Sequence, residues 1–361
     1  MENVMNFLKD KFYFVIGGFV IFIIIIVVIV SCSSFSSNSY ESLEEKLVEA
    51  GKEYYADNKK NLPKNEDETA SVTLSFLVKN DYIKEIKDPK DKDNICSGEV
   101  EVTKRGNDYN HQGFLDCGKN YKTQFLVDAL KSSLKHDDNG NGLYEMGSEL
   151  VFRGDKLKNY VKFNDTLWQV MKIDAEGDIK LISVEPTEED YPWDDRYNVK
   201  EDDNTGIGDF KKSRIRETLE SYYRNNFNET EGVKEKIVKK DFCVAPRSTK
   251  DPINNTVECS DTLSMYVGLI TASDFYIASL DSGCTKFLQE QCSNYNYLSR
   301  EKRTWTLTSS KEETDRIYIF YTRVDDSAAA DGKRIYPVIN IDGKTISRGG
   351  TGTESNPYVV R

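Results

Sequence analysis

Between Phe12 and Val30 the chain reads FYFVIGGFVIFIIIIVVIV, 19 residues without one charge. At about 1.5 Å rise per residue this run makes roughly 28 Å of helix, close to the hydrocarbon thickness of a bilayer. Its β-branched richness does not argue for a strand. In lipid every backbone N–H and C=O must be satisfied within the segment, and a helix does that. Lys9 and Lys11 precede the run, and Glu41, Glu44 and Glu45 follow it. The short lysine-bearing side therefore stays cytoplasmic and the bulk lies outside the cell membrane.

The expected layout begins with a cytoplasmic stub at 1–11, a transmembrane helix at 12–30 and a Ser-rich hinge at 31–39. Cys32 offers a rival anchor. Ile29-Val30-Ser31-Cys32 fits a bacterial lipobox, in which the run is a signal peptide and Cys32 is lipidated. A signal peptide's apolar region spans about 7–15 residues, so the length of this run favours a retained helix. Either anchor leaves the protein at the outer face.

The remaining chain suffices for two domains. A net charge of −12 opposes nucleic-acid binding, which wants a basic stripe. The 21 tyrosines suit a binding surface, though buried tyrosines would give the same count. Apart from Cys32 there are six cysteines: Cys96, Cys117, Cys243, Cys259, Cys284 and Cys292. An even number outside a membrane reads as disulfides, and pairing of sequence neighbours (96–117, 243–259, 284–292) is the simplest of the 15 connectivities. No CxxC occurs, and the histidines are His111 and His136 alone, which gives a Cys/His zinc site little support.

From Tyr40 to Asn58 the residues Tyr40, Leu43, Leu47, Ala50 and Tyr54 recur at helical steps, with Ser39 or Ser42 as the cap. SVTLSFLVKNDYI predicts a short helix or strand with Leu74, Leu77 and Tyr82 facing inward, and EVEVTK a strand with Val100 and Val102 on one side. These pieces make an α+β domain over 40–127, followed by a linker over 128–149. From 150 to 361 the pattern turns to alternating strands around one amphipathic helix, KSRIRETLESYYRNNF, predicting a second α+β domain.

The second half resembles a domain of surface proteins from gut Firmicutes and Mollicutes. The likeness runs through LVFRGDKLKNYVKFNDTLWQVMKI, SRIRETLESYY, YVGLITASDF, WTLTS, RIYPVINI and GGTGTESNPYVV in the family's order. It implies a fold of the C-type-lectin and formylglycine-generating-enzyme-like superfamily, in which long loops on a small twisted sheet present a binding surface. Gln169 stands where the family shows Arg after Trp, and Tyr336 where Arg precedes Pro. The first domain is similar to type IV pilins and pseudopilins: a hydrophobic helix runs into an amphipathic one, then come YYADNKKNLP and a small disulfide-bridged sheet. The pilin processing signature is missing, and fold likeness alone does not transfer function.

Asp137, Asn139, Asn141 and Glu145, with Gly142 in the turn DDNGNGLYE, have the oxygen-bearing spacing of a calcium loop. Ser148 stands at the twelfth position, so the bidentate acid of an EF-hand is absent, and a solvated turn is the plainer reading. Trp193 lies in an acidic loop between Pro192 and Asp194. With Asp194 and Asp195 it is the expected exposed contact for a glycan or protein ligand, while Trp168 and Trp305 lie in alternating strands and read as core. The second domain contains no histidine, which removes Ser-His and Cys-His catalysis.

The sequence therefore favours a non-enzymatic, membrane-anchored adhesion protein with a lectin-like domain on a pilin-like stalk. The alternatives are a minor pilin or pseudopilin subunit and an extracytoplasmic hydrolase. Intact-mass measurement of the membrane-extracted protein separates the anchors. A retained helix gives the full 41.3 kDa, whereas cleavage before a diacylated Cys32 gives a smaller mass.

Overall fold

The computed structural model describes residues 39–230, 232–254 and 256–360. The stub, the hydrophobic run, Cys32 and all but the last hinge residue lie outside them. Among the described residues no helix is long and apolar enough to cross a membrane. The chain divides into two compact units, Met1–Lys122 and Thr123–Arg361, and both are α+β where described.

The first unit contains helix α1 (Tyr40–Asp57), strand β1 (Thr69–Thr73), helix α2 (Leu74–Lys79) and strands β2 (Lys87–Asp88), β3 (Asp91–Ile95), β4 (Ser97–Arg105) and β5 (Asp108–Asp116). Ser39 caps α1 by accepting the Ser42 N–H. The stretch with two expected readings is both at once: a strand that becomes a helix at Thr73, whose hydroxyl caps α2 by accepting the Phe76 N–H. Strands β1, β4 and β5 form an antiparallel sheet. Alternation along β4 sends Val100 and Val102 into a core with Leu47, Leu77 and Leu115, all wholly buried. Tyr55 is buried in that core, while Tyr54, expected on the inner face, is only partly covered.

Gly51 sets how closely α1 approaches β4. A Cβ added there would lie 2.6 Å from the Val100 Cγ1. At the other end of α1, the Tyr40 ring stacks on Tyr121 and its hydroxyl donates to the buried Asp88 carboxylate. Asp88 also accepts from Asn94, Asn120 and the Lys90 N–H, which fastens the β2–β3 ribbon.

The second unit runs β6 (Thr123–Phe125), α3 (Leu126–Lys131), β7 (Gly142–Met146), β8 (Glu149–Arg153), β9 (Tyr160–Phe163), β10 (Thr166–Ile173), β11 (Ile179–Ser183) and β12 (Tyr191–Pro192). It continues with α4 (Arg214–Asn226), β13 (Lys240–Cys243), β14 (Thr262–Met265), β15 (Val267–Gly268), α5 (Ala272–Ala278) and β16 (Thr304–Ser309). Strands β17 (Arg316–Phe320), β18 (Val324–Ala328), β19 (Gly332–Lys333), β20 (Val338–Ile341), β21 (Ile346–Arg348) and β22 (Tyr358–Val360) complete it.

Its main sheet has the order β15-β20-β11-β10-β9-β22-β21-β6, with the β7–β8 hairpin joined to β10. A smaller sheet, β16-β17-β18, and the ribbons β12-β19 and β13-β14 stand beside it. Asn164 and Asp165 join β9 to β10 with φ of 49° and 55°, the left-handed pair that a two-residue hairpin turn requires.

Residues 123–149 correct the expected layout. They are neither the end of the first domain nor a linker. β6 pairs with β21, Leu126 and Leu130 of α3 enter the second core, and β7 pairs with β8. An amphipathic stretch finds its apolar partner in the sheet that follows it, which is why the boundary falls earlier.

Cysteines 96–117, 243–259 and 284–292 are bonded, the neighbour pairing expected. Inside the second core Arg247 and Glu258, both fully buried, pair at 2.8 Å. Ser273 of α5 donates to Glu258, and the Phe287 ring lies 4.5 Å from the Arg247 guanidinium. Gly51→Val should destabilise the first unit by about 3 kcal/mol through overpacking against β4, read as a lowered denaturant midpoint with an unchanged slope.

Candidate functional site

The main sheet carries an unusual polar row. Lys172 of β10 stands directly opposite Lys180 of β11, and Lys180 opposite Asn340 of β20. The register shifts between Val170 and Lys172, and such a bulge re-aims the side chains beside it. Two like charges opposite each other destabilise a sheet unless something answers them. Here Lys172 pairs with Glu149 at 2.6 Å and Lys180 with Asp274 at 3.0 Å.

Asp274 is fixed by its own helix. It accepts the Thr271 N–H while Thr271 accepts the Asp274 N–H, a reciprocal cap at the start of α5. The third wall is β13. There Lys240 reaches Asp174, Glu176 and Asp178, three carboxylates of one turn, at 2.9, 2.8 and 2.6 Å. Together these walls enclose a cleft of about 590 Å³.

Charge in this cleft is tightly held. Burial raises the Asp274 carboxyl, but the adjacent Lys180 and Lys172 ammoniums and the Thr271 N–H outweigh it and keep the group below the usual carboxylate range. Burial pulls the Lys180 ammonium below its ordinary value and Lys172 adds to that, with Asp274 opposing. The Thr271 N–H and Lys172 favour the ionised Asp274 independently of Lys180. Burial also works against a charged Lys240, but its carboxylates, Asp178 first, hold it protonated well above the usual lysine range.

Lys239 of the cleft lining also meets an aromatic pair. Tyr223 of α4 and Tyr266, between β14 and β15, stack with ring centroids 4.2 Å apart and planes 6° from parallel. Tyr266 is among the exposed large side chains. Lys239, which lines the cleft, places its ammonium 5.8 Å from the Tyr266 ring centre.

The expected contact residues lie elsewhere. Trp193 is wholly buried, donates its indole N–H to the Thr306 carbonyl and packs near Phe210. Its polar neighbours belong to a loop folded over the core, so the local sequence misrepresents its surroundings. Asp194 is buried too and is held by Arg196, while the exposed Asp195 faces Arg214. These three therefore form no common exposed surface. Trp168 and Trp305 are core, as expected.

In the calcium-like loop, Asp137 accepts the N–H groups of Asn139 and Asn141 and the Asn141 side-chain amide. Asn141 turns its oxygen to the N–H groups of Asp155 and Lys156. The loop is thus closed by its own hydrogen bonds, the ordinary use of Asp and Asn in turns. Asn139 and Glu145 are exposed, and Glu145 sits on β7. Among the described residues the acidic group compact enough for a cation is instead Asp174, Glu176 and Asp178, and the Lys240 ammonium is bound there.

Gln169 and Tyr336 meet at one residue. Arg300 donates to the Gln169 Oε1 at 2.8 Å, and its guanidinium lies 5.4 Å from the Tyr336 ring centre.

The cleft lysines escaped the sequence reading. Their signal is a single Lys in each of two otherwise apolar strands, VMKI and DIKLI, flanking one turn. Comparison with protein-family models, curated proteins and solved structures finds no match for the chain.

Asp274 yields a pH prediction. Its carboxyl lies lower in the folded than in the unfolded state, where about 3.9 is usual. It therefore contributes stability above about pH 4, and that stability is lost as pH falls through the lowered folded value. Thermal melts from pH 6 down to pH 2 should show Asp274→Asn losing less stability over the acid range than the parent does.

Proposed function

We propose that this chain is an outward-facing binding and adhesion protein, anchored in a membrane by the Phe12–Val30 run, whose second unit takes a glycan in the charged cleft. The observation that carries this reading is a cleft lined by paired charges, one of whose lining residues, Lys239, reaches the ring of the exposed Tyr266. Paired side chains supply oriented donors and acceptors for hydroxyls, and a tyrosine face supplies the apolar contact that a sugar ring offers. In this reading the first unit is a pilin-like stalk, and the second is a lectin-like display domain whose main sheet carries the site.

A glycosidase needs one acid held protonated with a raised pKa, whereas Asp274 is held ionised. Three disulfides suit an oxidising exterior.

Detergent-solubilised full-length protein on glycan and protein arrays tests the reading. We expect binding to a set of glycans, weakened about tenfold or more by Tyr266→Ala at an unchanged melting temperature. Binding confined to proteins, or glycan binding indifferent to Tyr266, would overturn it.

A further inference from the structure

We propose that the cleft selects acidic sugars, taking a ligand oxyanion, a carboxylate or a sulfate ester, between Lys172 and Lys180 in the place that Glu149 fills. The inference rests on the glycan-binding reading above and specifies its ligand class.

Three observations carry it. First, directly opposed residues of antiparallel strands keep their Cβ atoms only about 5 Å apart, so Lys172 and Lys180 set two lysine side chains beside each other in the lining of one cleft. A sheet built for stability alone would place apolar residues there, since a buried ion pair seldom improves on them. Second, the two acids that answer these lysines are not equivalent. Asp274 is immobilised by the reciprocal cap with Thr271 and belongs to the scaffold. Glu149 is the first residue of β8, its side chain retains 29% exposure, and its carboxylate is held by Lys172 at 2.6 Å. It can swing into solvent without breaking the sheet.

Third, the other acids of the cleft are engaged away from the lysine pair. Asp174 and Glu176 hold Lys240, and Asp241 accepts from Ser264. An incoming oxyanion that replaces Glu149 conserves both the ion pair to Lys172 and the attraction that Glu149 already exerts on Lys180. Glu149 thus acts as an internal competitor: it keeps Lys172 compensated in the free protein and yields to a ligand carrying the same group. A neutral sugar offers no such exchange.

The test is an oligosaccharide array that sets uronic-acid and sulfated sugars beside their neutral counterparts, read with the full-length protein and three variants. The parent should bind acidic members about tenfold tighter than neutral ones, with a preference that weakens as salt rises. Glu149→Gln should tighten acidic binding about threefold or more by removing the competitor. Lys172→Met should abolish the preference, and Lys172→Arg should keep it, with circular-dichroism melts showing that each variant is folded. Either acidic class binding alone supports the proposal and identifies the oxyanion. Equal binding of neutral and acidic sugars, or a preference that survives Lys172→Met, overturns the proposal and leaves glycan binding standing. Absence of binding to every sugar by the folded parent overturns both.

Discussion

The fully buried Arg247–Glu258 pair is the constraint on which the second unit depends. Two charges removed from water are tolerable only when each is answered in place, and removing one partner of such a pair typically costs about 3–5 kcal/mol. Here the compensation comes from separate parts of the chain. Arg247 and Glu258 both lie on or beside the segment closed by the Cys243–Cys259 bond, Ser273 comes from α5, and the Phe287 ring covers the guanidinium. The Arg247 N–H also bonds the Ser309 carbonyl at the end of β16. Arg247 thus ties a disulfide loop and a helix through its guanidinium and a sheet edge through its backbone N–H. Because α5 is held there, Asp274 at its first turn is held over the main sheet.

The cleft repeats this logic in a more open setting. Like charges on β10 and β11 are answered from β8 and from the α5 cap, and the β13 wall is fastened by one lysine in a three-carboxylate turn. Each wall comes from a different stretch of sequence, and an ion pair ties each to the sheet. Ion pairs hold position well and yield readily to a competing charge. Apolar packing has the first property without the second.

Much of this architecture was legible in the residues. The α1 period, the Val100/Val102 alternation, the α4 helix and the strands around Trp168 and Trp305 all follow from local patterns that tertiary packing reinforces. The disulfides followed from spacing. What escaped depends on partners distant in sequence. Trp193 looked exposed because its neighbours are acidic, yet its environment is made by Thr306 and Phe210. Asp137 and Asn141 had a ligand-like spacing, but Asp155 and Lys156 decide where the Asn141 oxygen points. Lys172 and Lys180 become neighbours only through strand register, and Asp274 joins them from 94 residues away.

The disulfides have a consequence for assembly order. The bonded cysteines are separated by 21, 16 and 8 residues. Closing such short loops costs less chain entropy than joining distant thiols, so the native connectivity is also the one that random encounter favours among the alternatives. Each bond can form once its own stretch of chain is available, with no need for the other two. Oxidation can therefore proceed from one end of the polypeptide to the other, and none of these six cysteines must wait for a partner in the other unit.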